Sequence, residues 1–146
     1  MKIFFDTSSL FKLYHREADT AELEQRLSVI TITGIYLSEI AKVEFASTVW
    51  KKVRTKEITE LEAQTTLDLF ELDFAKYNFL TTDSIIIEQA RILTSKYGSQ
   101  GLRTLDSVQL STAVSLYRHV DIFLTADKLL KSLFLAEELP TFQPSL

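Results

Sequence analysis

The chain has 146 residues, 46% of them hydrophobic and 25% charged, with a formal net charge of −4. That size and balance suit one globular domain over residues 1–146 and exclude both a disordered chain and an avid, strongly basic coat for nucleic acid. No apolar run approaches the ~20 residues of a membrane span, no secretory leader opens the chain, and the lack of cysteine removes disulfides and thiolate metal sites, so a cytoplasmic protein without membrane association is expected.

Only three Gly and two Pro interrupt the sequence, which favours regular elements with short connections. Residues 2–5 read as a short apolar strand ending at Asp6. Residues 7–15 and 19–28 have helical spacing, with Leu10, Leu13 and Tyr14 on one face and Leu23 and Leu27 on another. Ile30, Ile32 and residues 35–37 give a second β-like stretch, interrupted by Gly34. Ser38 is placed as the N-cap of a helix reaching about Arg54, with Ile40, Val43, Ala46 and Trp50 as its apolar stripe. Thr59 and Glu62 have capping-box spacing and open an acidic helix to about Lys76. A strand is expected at 79–81, then a helix capped by Asp83 and stopped near Gly98 by a left-handed residue. A helix from about Thr104 to Arg118, a strand over 121–125 and a helix over 126–135 complete the series. Short apolar strands alternating with helices predict a three-layer α/β fold with a small, mostly parallel sheet flanked by helices. In such sheets reactive residues gather beyond the carboxyl ends of the strands.

Two acids fall at strand ends, Asp6 and Asp127. Asp106 lies in the first turn of a helix, and Glu44 sits among Ile40, Ala41, Ser47 and Thr48 at helical spacing. Each also has a plainer reading: Asp106 as a first-turn acid, Asp127 as the start of its helix, Glu44 as a rim residue. Asp6 is hardest to explain away, because a carboxylate that ends a buried strand needs partners; the Thr7 and Ser8 hydroxyls are the nearest. If the four converge, two carboxylates ~4 Å apart repel by roughly 4 kcal/mol at an effective dielectric of about 20. Protonation or a divalent cation would relieve that. Oxygen-only donors select a hard ion, Mg²⁺ or Mn²⁺, and such a site suits phosphoryl transfer. His15 and His119 lack the paired spacing of a zinc site and are read as exposed helix-end residues. Acids dominate residues 17–24, 57–71 and 137–138, whereas Lys51, Lys52, Arg54 and Lys56 form a basic cluster, either a solvated helix end or a place for phosphate.

The opening MKIFFDTSSLFKLYHRE resembles the start of PIN-domain proteins, particularly the VapC toxins of toxin–antitoxin pairs. LSEIAKVEFASTVWKKVR resembles that family's second motif, with its acid on Glu44; Glu39 is then a helix-start acid serving the dipole. LRTLDSVQLSTAVSL resembles the third motif and places its acid on Asp106, with Ser107 where many relatives carry Ala. FLTADKLL resembles the fourth, with Thr125 as its hydroxyl and Asp127 as its acid. The resemblance implies a Mg²⁺- or Mn²⁺-dependent endoribonuclease that cleaves RNA, forms a homodimer and is inhibited by a cognate antitoxin. It also leaves Lys51, Lys52 and Arg54 as candidate RNA-binding residues. Another metal-dependent nuclease or phosphatase, or a catalytically inactive PIN-like interaction module, are the rival readings. A nucleotide-binding Rossmann domain is disfavoured because Asp-Thr-Ser-Ser-Leu, not a Gly-rich loop, follows the first strand.

Overall fold

Ile3, Phe4 and Phe5 are all but inaccessible to solvent, as a strand covered on both faces requires. The computed structural model describes residues 1–142. Its elements are β1 (Lys2–Phe5), α1 (Thr7–Phe11), α2 (Thr20–Ser28), β2 (Gly34–Ser38), α3 (Ala41–Arg54), α4 (Glu60–Leu72), β3 (Tyr77–Leu80), α5 (Ser84–Tyr97), α6 (Thr104–Ser115), β4 (Ile122–Leu124) and α7 (Lys128–Ala136). The sheet is wholly parallel in the order β3-β2-β1-β4, with Ile3 opposite Ile35 on one side and Ile122 on the other. The chain therefore turns one way from β1 to reach β2 and β3, then crosses back to place β4 on the other side of β1. The crevice between the carboxyl ends of β1 and β4 is the topological switch point.

Strand alternation sends Ile3, Phe5, Leu37, Ile122 and Leu124 to one face, against Leu10 and Phe11 of α1, Phe45 and Val49 of α3, and Phe70 of α4. Phe4 and Phe123 point the other way, against Leu93 of α5, Leu110 and Ala113 of α6, and Leu130, Leu133 and Phe134 of α7. Helices thus cover both sides, and the expected three-layer α/β fold is present. Among the described residues no helix is long and apolar enough to cross a membrane.

The capping signals at Thr59–Glu62 and Asp83 operate as their sequences suggest. Both halves of the capping box are made, and Ile86 N donates to Asp83 Oδ1 at 2.9 Å. Elsewhere the structure corrects the sequence reading. Helix α1 stops at Phe11, short of residue 15, and β3 begins at Tyr77 rather than Phe79. Ser38 is the buried last residue of β2, and the N-cap of α3 is Ile40, without a side-chain cap. The buried stripe of α3 is Ala41, Phe45 and Val49, while Val43 is 72% exposed. The helix starts two residues later than expected, at Ala41 rather than Glu39, and buries a different face from the expected stripe of Ile40, Val43, Ala46 and Trp50. Glu39 serves no helix N-terminus; its Oε1 accepts from Thr82 N at 2.7 Å, just beyond β3.

Gly98 is not the left-handed terminator of α5. Its φ is −59°, and the chain continues through a short 3₁₀ turn to Gly101, which takes φ +103°. Gly101→Ala is therefore expected to lose about 1–2 kcal/mol in chemical denaturation. Gly98→Ala, with right-handed backbone and open space around an added Cβ, should be neutral or gain about 0.5 kcal/mol.

Candidate functional site

Asp6 leaves β1 with its backbone N–H donating to Leu124 O at 3.0 Å, which extends the β1–β4 ladder by one residue. Its side chain is turned into the protein at 4% exposure and serves as the N-cap of α1. Oδ1 accepts from Ser9 N at 3.0 Å and Ser9 Oγ at 2.9 Å, Oδ2 accepts from Thr125 Oγ1 at 2.7 Å, and Ser8 Oγ lies within 2.9 Å of both oxygens. Burial pushes the Asp6 pKa up, and these hydrogen bonds pull against it. Ser8 and Thr125 stand where the sequence put them. Thr7 does not: it turns to Glu44, and Ser9, overlooked in the sequence, takes its place beside Asp6.

Glu44 projects from the first turn of α3. Its Oε1 accepts from Thr7 Oγ1 at 3.0 Å and from Gln109 Nε2 at 2.7 Å, while no hydrogen bond reaches Oε2 among the described residues. Burial is the first cause of its raised pKa; the bonds from Gln109 and Thr7 lower it, and the charges of Asp6 and Asp106 add to the rise. Gln109 is only 2% exposed, also donates to Thr7 Oγ1 at 3.1 Å, and keeps its own Oε1 buried without a partner. It lies one turn beyond Asp106 on α6, inside the run Ser107–Ala113 that is buried all round. A glutamine at that spacing from a candidate acid was the available signal for it. Asp106 is half-buried, and its pKa is raised by desolvation and then by Asp127, against a smaller lowering by Arg103. Asp127 is also the N-cap of α7, with Leu130 N donating to Oδ1 at 2.7 Å. That plainer role does not occupy its second oxygen.

Asp6, Glu44, Asp106 and Asp127 all line one cavity of about 440 Å³, together with Thr7, Ser8 and Gln109. Four acids from four separate segments thus meet at the β1–β4 switch point. Of the expected RNA contacts only Lys52 reaches this cavity. Its ammonium lies 3.7 Å from Glu57 and 5.7 Å from the Phe11 ring centre. Lys51 and Arg54 are exposed and do not line it. Lys12, not singled out in the sequence, does. His119 is exposed as expected; His15 is half-buried with its ring 5.5 Å from that of Phe11, and neither histidine lines the cavity.

These donors suit a hard divalent cation in type and charge. All are oxygens, and the like charges raise one another's protonation in the way a cation would reverse. They do not form a finished cage. Among the described residues no three acidic or histidine side chains stand close enough to enclose an ion as they are. Asp6 is held by its hydrogen bonds, so closing such a cage would take movement of Glu44, Asp106 and Asp127.

A parallel three-layer α/β protein with carboxylates gathered at its switch point is the class that fold and site define. The chain belongs to the PIN domain family, whose model matches residues 3–133. Several solved structures share the fold. FitAcB from Neisseria gonorrhoeae is 16% identical with a TM-score of 0.69, over 97% of this chain and 96% of that one. VapC20 of Mycobacterium tuberculosis, described as a sarcin–ricin loop cleaving toxin, is 14% identical with a TM-score of 0.67, over 90% and 94%. A toxin–antitoxin complex from Klebsiella pneumoniae is 19% identical with a TM-score of 0.60, over 86% of each chain. No curated protein matches the chain by sequence.

Asp106 offers a test of the site's electrostatics, since no hydrogen bond reaches its carboxylate among the described residues. Its pKa is raised above the ordinary 3.8. Its contribution to stability is therefore present at low pH and is lost as pH rises through the raised value. Metal-free Asp106→Asn is expected to melt higher than wild type at about pH 8, with the difference closing toward about pH 4. Thermal melts at both pH values check this. Added Mn²⁺ should raise the wild-type melting temperature more than that of the variant.

Proposed function

We propose that the protein is a Mg²⁺- or Mn²⁺-dependent endoribonuclease, the toxin of a toxin–antitoxin pair, which hydrolyses RNA phosphodiester bonds at the acid cavity. The observation that carries this reading is the meeting of Asp6, Glu44, Asp106 and Asp127 in one cavity of a PIN-family chain. A bound hard cation supplies charge neutralisation at the phosphate and a water acidic enough to attack it. The chain's own residues prepare for it. Asp6, anchored by Ser8, Ser9 and Thr125, gives the cavity a fixed negative floor. Thr7 and Gln109 occupy Glu44 Oε1 and leave Oε2 for a ligand. The charge of Asp127 adds to the raised pKa of Asp106, a repulsion that a cation in the cavity would relieve.

The same reading makes the protein a cytoplasmic homodimer held in check by a cognate antitoxin. Helix α1 spends Leu10 and Phe11 on the core and offers a dimer little apolar surface. The better support is α5, where Ile85, Ile87 and Ile92 are 76%, 50% and 49% exposed. Light scattering should give about twice 16.7 kDa; a monomer unchanged by concentration counts against the dimer. An inactive PIN-like interaction module is the second reading, favoured by the open spacing of the acids.

Purified protein should cleave structured RNA in Mn²⁺ or Mg²⁺ and stop in EDTA. Cleavage that persists in EDTA, or none in any divalent ion, removes the proposal. Three single variants then test the parts. Glu44→Gln should lower cleavage by ~10²-fold or more, on the scale of losing a principal electrostatic contact. Glu39→Gln keeps an acceptor for Thr82 N and should cost about 0.5–1 kcal/mol of stability with near-normal activity. Gln109→Met, similar in volume but without the donor, should weaken Mn²⁺ binding by ~10–100-fold in calorimetry. An inactive Glu39→Gln beside an active Glu44→Gln would overturn the assignment of the second acid.

A further inference from the structure

The acid cavity has a neighbour of opposite character. A second cavity of about 450 Å³ opens beside it, and Lys12 and Ala126 line both. The acid cavity sets five carboxylates (Asp6, Glu17, Glu44, Asp106, Asp127) against Lys12 and Lys52. The second sets Lys12, Arg26 and Lys131 against Asp19 and Glu22. Its floor is Ser9, Leu124 and Thr125, so the hydroxyls that hold Asp6 form part of the wall between the two.

Three features give this second cavity a ligand chemistry. Lys131, one turn beyond Asp127 on α7, is half-buried and makes no ion pair among the described residues. An ammonium lining a cavity with no ion-pair partner among the described residues favours an anion at that point. Lys12 sits in the partition, its side chain 11% exposed and its ammonium 2.5 Å from Asp19 and 3.5 Å from Glu17. Arg26, paired with Glu22 at 3.1 Å, lies over the Phe142 ring at 5.4 Å, which adds an aromatic and a planar cationic surface to the wall. Cations along a groove with an aromatic face beside them are what a single nucleic-acid strand needs.

We propose that this cavity is the subsite for the RNA nucleotide adjoining the scissile phosphate, with Lys131 and Lys12 meeting its phosphate and the Arg26–Phe142 wall meeting its base. The proposal rests on the nuclease reading. It also answers how a chain of net charge −4 holds a polyanion: the acid cavity takes one phosphate through a cation, and the adjacent phosphate meets protein cations directly. The 51–56 basic cluster is not required for that.

The test is fluorescence polarisation of the full chain with a short, labelled, mixed-sequence single-stranded RNA, using Ca²⁺ in place of Mg²⁺ to suppress turnover. Lys131→Ala should weaken binding about tenfold and flatten the slope of log affinity against log salt by ~0.7–1, the signature of one lost phosphate contact. Lys131→Arg should retain most of both. Arg118→Ala, which lines neither cavity, should change affinity by less than about twofold. Lys131→Gln keeps most of the stem and repeats the measurement if the alanine variant unfolds. A folded Lys131 variant with unchanged affinity and salt slope overturns the subsite, as does a wild type that binds no RNA. Cleavage in Mn²⁺ is scored separately. Lys131-dependent binding without cleavage by wild type strikes the nuclease reading and leaves the subsite. Cleavage whose KM ignores Lys131→Ala does the reverse.

Discussion

A carboxylate buried at the end of the central strand is an expense that a fold must offset locally. Here Asp6 meets a backbone amide and a hydroxyl from Ser9, the hydroxyl of Ser8, and the hydroxyl of Thr125 from across the crevice. Without those donors a charge buried to that depth would cost several kcal/mol. With them it becomes the joint that starts α1, extends the β1–β4 ladder and fixes the floor of the cavity. The remaining acids arrange themselves around this fixed point. Thr7, the next residue, reaches Glu44; Gln109 ties both to α6; Thr125, the last donor to Asp6, also accepts from Asp127 N at 3.1 Å.

That network explains how much of the site could be read from the sequence. Asp6 and Asp127 were legible because they stand at or just beyond the ends of apolar strands, and in parallel sheets those ends face one crevice. Glu44 and Asp106 became legible through the resemblance of whole motifs, since helical spacing alone gave each of them an ordinary alternative. Gln109 and Ser9 were passed over because their roles depend on contacts across the fold. Gln109 meets Glu44 from 65 positions away, and Ser9 Oγ also donates to Leu124 O from 115 positions away. The exchange of roles between Thr7 and Ser9 turns on which side of a five-residue helix each occupies, and composition does not set that.

The fold was legible in its alternation and less so in its phases. Strand β4 and helix α7 follow an apolar run and a capping aspartate, and they stand within a few residues of their expected limits. Helix α3 failed in phase. Ser38 is a good capping residue by type, yet tertiary pairing claimed it for β2, where it lies opposite Leu80. The helix starts two residues later than expected, and its buried side lies roughly half a turn around the axis from the expected one, on Phe45 and Val49 in place of Val43 and Trp50, with Phe45 stacked on Phe70 at 4.1 Å. At Gly98 the helix stops as the residue type suggests, but with right-handed backbone, and the left-handed turn falls to Gly101 three residues on.

The pairing of β1 with β4 has a consequence for the order of synthesis. Strand β1 lies inside the sheet, and β4, which completes its second side, is made more than a hundred residues after it. Thr125 donates to Asp6 across 119 positions, and Phe123 N closes its own outer side on Pro140 O at 2.8 Å. A nascent chain halted before that point carries Asp6 without its crossing partner and lacks Asp127 altogether. The four-acid cavity therefore cannot assemble until residue 127 has been made, well after its other three acids.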